Sequence, residues 1–270
     1  MSLIELLLTT TLGLILLSSV SALLLSIIKH YEQQQVRHMM LNQASIITQQ
    51  WEKTLGNSGD LGCYAPENFN QIENHTDYKP LTNNGIQIYQ TNEALPEHFP
   101  EKIYKKLLPG SNILSTEGMM SPPIHILYSE ENKNFFSINL LPMKNKDLVI
   151  LSNCQKAWLF FLNTLNENHF KADFIHATEN ETYQFALWKT IFWFVMKNNQ
   201  NTYGLYRLIL PDETTPVELL SNVSYFNARV YPGDYPKSLW INLGLSKNQE
   251  NLYWSVIIGL TRHANLWRTI

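Results

Sequence analysis

The first 28 residues constrain this chain most. Ser2-Leu3-Ile4-Glu5-Leu6-Leu7-Leu8 opens a run that stays apolar or hydroxylic until Lys29, and Glu5 is its only charge. As a helix, Leu6 to Ile28 would rise about 34 Å at roughly 1.5 Å per residue, enough to cross a hydrocarbon core of about 30 Å. Residues 1–28 are therefore expected to form a membrane-embedded half-helix. A removable secretory signal is the competing reading, since Val20-Ser21-Ala22 faintly resembles a cleavage site. No basic region precedes the run and Leu23 to Ile28 extend it, so removal there is not expected.

Glu5 needs an explanation. A carboxylate at the centre of a span costs about 2.5–3.5 kcal/mol on insertion scales, and less toward an end. One reading is an interfacial charge at the helix N-terminus, favoured by the macrodipole. The other pairs Glu5 with a cation on another subunit. An α-amino group, with a reference pKa of about 7.7–8.0, is the nearest candidate. A staggered stack of such helices sets one chain's Glu5 against the next chain's N-terminus.

Met1-Ser2-Leu3-Ile4-Glu5-Leu6 resembles the mature N-terminus of a type IV pilin, whose fifth residue is glutamate. Met1 stands where the family usually has phenylalanine. The resemblance implies that a prepilin peptidase exposes and N-methylates Met1, and that Glu5 serves assembly. The chain then reads as the processed form, or as one whose initiator methionine stands in place of the leader. Major pilins carry a proline near residue 22 that kinks the helix. Here the residue is Ala22, which predicts a straighter helix and fits a minor subunit.

Residues 29–55 continue the helix. No proline occurs before Pro66, and Gly13 is the only glycine before Gly56. Met40, Ala44, Ile47, Trp51 and Leu55 fall on one helical stripe, while Gln33, Gln34, Arg37, Asn42, Gln43, Gln49 and Glu52 occupy the other faces. This amphipathic half is expected to pack on a sheet. A coiled coil is the alternative, but the stripe drifts off a strict seven-residue repeat. Gly56-Asn57-Ser58-Gly59 supplies the chemistry that ends the helix.

Residues 56–270 read as a β-rich periplasmic head. Within it, 61–122 offer little. Gly85 to Tyr89 alternates like a short strand, and Pro100 to Leu108 suits a short helix with proline at its start. The rest of that stretch reads as a loop-rich, variable face. From Ile124 onward, short runs rich in β-branched and aromatic residues are separated by polar turns: Ile124–Tyr128, Phe135–Ile138, Leu148–Leu151 and Trp158–Phe161. Tyr183 to Met196 is too short to span a membrane and contains Lys189. It reads as a strand pairing with Leu205–Leu210 across Asn198-Asn199-Gln200-Asn201. Val217–Tyr231, Leu239–Leu245 and Leu252–Thr261 complete a meander. One long helix followed by strands predicts α+β, the helix packed on an antiparallel sheet.

The two cysteines, Cys63 and Cys154, are too few for a disulfide scaffold and match no zinc spacing. An anchored, exported head permits a Cys63–Cys154 bridge, and two buried free thiols are the alternative. Closing a loop of that length stabilises a fold by up to about 4–5 kcal/mol in the chain-entropy model.

Several pieces resemble the PilW-type minor pilins, a branch similar to the J-type pseudopilins of type II secretion. They are Leu61-Gly62-Cys63, Asp147-Leu148-Val149-Ile150-Leu151-Ser152-Asn153-Cys154, Leu205-Tyr206-Arg207, and Glu218-Leu219-Leu220-Ser221-Asn222-Val223. The likeness leaves a gap over about residues 66–120. It implies a structural subunit of a pilus priming and tip complex. Its partners would be other minor pilins, the major pilin and the prepilin peptidase, with a tip adhesin as a candidate for 66–120. Residues 3–28 would sit in the inner membrane before assembly, with the head in the periplasm, and the subunit would end at the pilus tip.

Chemistry beyond assembly is not expected. The net charge of −3 carries no Lys/Arg cluster, which argues against nucleic acid and against an anionic-lipid target for the head. The eight histidines are scattered, and no H-E-x-x-H, C-x-x-C, G-x-S-x-G or phosphate-cradling loop occurs. No catalytic residue, metal or cofactor is assigned. Arg207 is expected to donate to a structural ion pair in the sheet. Asn74-His75-Thr76, Asn180-Glu181-Thr182 and Asn222-Val223-Ser224 match the N-glycosylation pattern, as an Asn-rich chain will by coincidence. The rival from another class is a periplasmic enzyme or receptor held by an uncleaved anchor.

Overall fold

A computed structural model describes residues 2–56, 58–59, 61, 72–79, 85–91, 96, 98–119, 123–129, 134–136, 143–163, 165–166, 169–172, 175, 181–231, 238–248 and 250–260, apart from the side chains of Glu5, Leu6, Asn134, Phe136, Leu165 and Asn166. The first helix, α1, runs Leu3–Leu55 without a break. Its 53 residues span about 80 Å at ~1.5 Å each. It continues through Ala22 without interruption.

Short elements come next: β1 (Glu73–Asn74), β2 (Ile86–Gln90), α2 (Glu101–Tyr104), β3 (Asn112–Met119), β4 (Ile124–Ser129) and β5 (Asn134–Phe136). Then come β6 (Leu148–Ser152), β7 (Ala157–Phe161), β8 (Leu165–Asn166), β9 (His169–Phe170) and β10 (Tyr183–Lys197). The chain continues with β11 (Tyr203–Leu210), β12 (Val217–Ser221), β13 (Val223–Tyr231), β14 (Ser238–Lys247) and β15 (Glu250–Gly259). The architecture is α+β, with one large mixed sheet and a separate three-stranded meander, β13-β14-β15.

β10 is the spine of the large sheet. Its first half lies between β4 and β6, and its second half between β3 and β11. Both faces of the second half are covered. Ile191, Trp193 and Val195 point toward α1, while Phe192, Phe194 and Met196 point toward Phe99, Ile103 and Leu107. A strand buried on both faces needs no polar alternation, which accounts for its unbroken aromatic run.

The stripe on α1 is buried as its spacing predicts. Met40, Ala44, Ile47, Trp51 and Leu55 are all sealed from solvent. They meet the large sheet through Trp193, Val195 and Leu205, and the meander through Phe226, Ile241 and Leu243. Trp51 is the wedge between the two sheets. Its ring stands edge-on to Trp193 (6.2 Å, 75°) and tilts over Phe226 (6.1 Å).

Three expectations need correction. The sheet is not wholly antiparallel, because β1 joins β7 in parallel (Glu73 opposite Trp158, Asn74 opposite Leu159). The stretch 61–122 is not simply loops: Asn112–Met119 is a fully buried strand paired with both β2 and β10. Ser115, Thr116 and Glu117 disguise it, since a polar run reads as loop when its partners are distant in sequence. Finally, Val217–Tyr231 is two strands. Asn222 sits between them with φ 60°, a left-handed conformation asparagine tolerates, and there the chain passes from the large sheet to the meander. Arg207 does form its ion pair, with Glu213 at 3.2 Å.

A polar lock fixes the end of α1 to the sheet. Ser58 Oγ donates to the Gly85 carbonyl (2.7 Å), and Gly59 N–H donates to the Glu117 carbonyl (2.7 Å). Gly85 has φ +76°, and a Cβ there would lie 2.6 Å from the Glu117 oxygen and 2.7 Å from Gly59 N, so only glycine fits. The buried Glu117 carboxyl accepts from Thr190 Oγ1 (2.7 Å) and from the Tyr78 hydroxyl. Thr190→Val should remove one donor to a buried acceptor and cost about 1–3 kcal/mol. Trp51→Ala should cost about 3–5 kcal/mol, since the sheets cannot collapse into the space it leaves. Denaturant unfolding of the full chain in detergent, followed by far-UV circular dichroism, measures both. A Trp51→Ala loss below about 1 kcal/mol would show that the stripe does not hold the head.

Candidate assembly surface

Every leucine, isoleucine and valine between Leu7 and Ile28 is exposed. They cover the helix on all sides and form no one-sided stripe. Full burial of each such side chain contributes roughly 1.5–3 kcal/mol, so a segment like this does not remain in water. By length and composition the helix can cross a membrane. All-round apolarity suits a span or a bundle of helices. An amphipathic helix lying flat on a membrane keeps one polar face.

The hydroxyls in this segment fit the same environment. Thr10 and Thr11 donate to the Leu7 carbonyl (both 3.0 Å), Ser18 to Ile15 (2.8 Å) and Ser19 to Leu16 (2.8 Å). A hydroxyl that bonds its own backbone three or four residues back presents no unmet donor to hydrocarbon.

The grip of the head begins well beyond the apolar segment. Met40 is the first residue of α1 that is fully buried, about 18 Å along the axis from Ile28 at ~1.5 Å per residue. Lys29, Glu32 and Arg37 lie on the exposed turns between. The apolar surface and the head are thus separated by a polar collar on one continuous rod.

Met1 and the Glu5 side chain lie outside the described residues, so the proposed pairing of Glu5 has no geometry to report. Cys154 is disulfide-bonded, and Cys63, the only other cysteine of the chain, lies outside the described residues. Asn153, next to Cys154, accepts from the Gln155 and Lys156 backbone N–H groups (3.0 and 2.7 Å) and so shapes the β6–β7 turn.

Elsewhere a cavity of about 830 Å³ lies at the β10–β11 turn. Lys106, Lys197, Asn198, Tyr206 and Glu218 are among its lining residues, and Gln43 of α1 reaches it. The Tyr206 hydroxyl donates to Glu218 (3.0 Å), and burial together with that carboxylate pushes its pKa well above the ordinary tyrosine value. Tyr206 is therefore a fixed proton donor at neutral pH. Among the described residues, no group of three His, Cys, Asp or Glu is placed to hold a metal ion.

Sequence reasoning located the stripe, the apolar half and Arg207. It missed the lock around Glu117, whose members lie far apart in sequence (Ser58, Gly85, Glu117, Thr190), and no local pattern signals it. The cavity was missed for the same reason. Compared with models of known families, with curated proteins and with solved structures, the chain has no match.

Proposed function

We propose that this chain is a minor pilin of the PilW type, a structural subunit of the complex that primes type IV pilus growth. The observation that supports this most is the single 53-residue rod, apolar on all sides in its first half and gripped by a β-rich head in its second. Such a rod can leave a bilayer and enter a helical core without refolding, because both surround it with hydrocarbon. Met1, N-methylated, and Glu5 form the assembly end. The partners are other minor pilins, the major pilin and the prepilin peptidase, and a tip adhesin is a candidate for 66–120. The chain is not an enzyme in this reading. Before assembly it is a single-pass inner-membrane protein with a periplasmic head.

The mass of the N-terminal peptide from protein made in its native host is the first test. A peptide beginning at Met1 and one methyl group heavier than the sequence is expected. An unmethylated, longer N-terminus, or one starting after Ala22, would return the chain to an anchored or secreted periplasmic protein. Glu5→Ala should leave the protein folded and membrane-inserted but reduce its recovery in sheared filaments. Wild-type recovery of both Glu5→Ala and Glu5→Gln would rule out the inter-subunit pairing of Glu5. A methylated chain that co-purified with a secretion pseudopilus would move it to the J-type branch.

A further inference from the structure

The outer face of β13–β15 is unlike a solvated sheet face. Tyr225, Gly244 and Tyr253 lie in one row across it, Asn227, Asn242 and Ser255 in the next, and Arg229, Trp240 and Ile257 in a third. Tyr253 is 77 % exposed, Ile257 69 %, Tyr225 40 % and Trp240 38 %. Arg229 is the only charged residue in the three rows. Single exposed aromatics are ordinary. A contiguous set of Tyr, Trp and Arg among Asn, Ser and Gly, with charge depleted, is the composition of surfaces that recognise proteins.

The opposite face of the meander fixes its direction. Trp254 Nε1 donates to Thr48 Oγ1 (3.0 Å), and Lys247 Nζ lies 3.9 Å from Met39 Sδ. Met39 and Thr48 are about 13.5 Å apart along the helix at ~1.5 Å per residue. Glu250, which pairs with Lys247, and Trp254 are about 13.6 Å apart along β15 at ~3.4 Å per residue. β15 therefore runs alongside α1, and β14 lies on the same line.

We propose that this face binds a second copy of the chain about a two-fold axis along β14. An axis parallel to α1 lets both apolar helices enter one membrane. Each row then meets the same row of the second copy. Tyr225 faces Tyr253, Asn242 meets Asn242, and Arg229 falls opposite Ile257 and beside the Trp240 ring, a site that suits a guanidinium. Gly244 lies buried beneath the β13 bulge: a Cβ there would lie 2.9 Å from Ser224 Oγ and from Tyr225 Cβ, so glycine lets those two side chains cover the centre of the row. Strands of nine, ten and ten residues cover roughly 500 Å² per copy. About 1,000 Å² in total belongs to the weak, transient class, so the pair depends on the concentrating effect of a shared membrane. This inference uses only the membrane-spanning character of α1, and its failure leaves the pilin reading where it stands.

The test uses the full chain in its own membranes, with Asn242→Cys on the axis and Glu101→Cys on α2 as the control. Because Cys154 is disulfide-bonded, it does not compete for the reagent. Sheets stack about 10 Å apart, too far for a direct disulfide, so a short bis-maleimide is the cross-linker. Asn242→Cys should give several-fold more cross-linked dimer than Glu101→Cys, and adding Tyr253→Glu should abolish the excess. Ile257→Lys serves as the second disrupting variant if Tyr253→Glu alters the far-UV spectrum. Equal cross-linking at the two positions, or an excess that survives both disrupting variants in folded protein, overturns the proposal. So does protection of Asn242→Cys from maleimide without any dimer, which would assign the face to a different protein.

Discussion

Burial of one helical stripe between two sheets is the constraint on which the rest of the structure depends. Trp51 touches both Trp193 of the large sheet and Phe226 of the meander, and it carries no exposed surface. Without the α1 stripe the sheets would share only the chain crossing at Asn222 and their contacts with each other. A face of α1 that holds two sheets must be apolar over more than one narrow seam, and the buried positions drift around the helix accordingly. That drift is why a coiled coil was the weaker expectation from the sequence.

The polar lock adds position to this packing. Apolar contacts are non-directional, so a stripe alone lets a helix slide along a sheet at modest cost. The bonds from Ser58 and Gly59 to Gly85 and Glu117 tie the last turn of α1 to one place on β3. Glu117 is tied in turn to β10 through Thr190. The helix end, β2, β3 and the spine strand are thus set in register by a few buried hydrogen bonds. Each loses more by being broken than it contributes by being made.

Legibility in the sequence followed the range of the interactions. Helix content, the stripe and the apolar half depend on residues three or four apart, and all three were readable. The β10–β11 hairpin was readable because its turn is short and polar and its strands are aromatic. β3 was not, because its identity as a central strand rests on partners at 86–90 and 188–193, and its own residues look polar. The parallel β1–β7 contact was equally hidden, being two residues long and set by the return of the chain. The assembly end was legible only through the resemblance carried by Met1 and Glu5, since a single carboxylate in an apolar helix has more than one physical explanation.

The spacing between the apolar half and the head decides what the head can reach. Headgroups extend the hydrocarbon core by about 5–8 Å on each side, taking a bilayer of ~40–45 Å in all. Ile28 to Met40 is about 18 Å of helix, so the gripped part of the rod begins beyond the headgroups even with some tilt. With Leu6–Ile28 in a bilayer, the turns at 198–201 and around Lys247 would stand in water and not in the interface. An aromatic face such as that of β13–β15 gains nothing from lipid at that height. In the pair proposed for this face, a second copy anchored by the same rod would arrive at the same height.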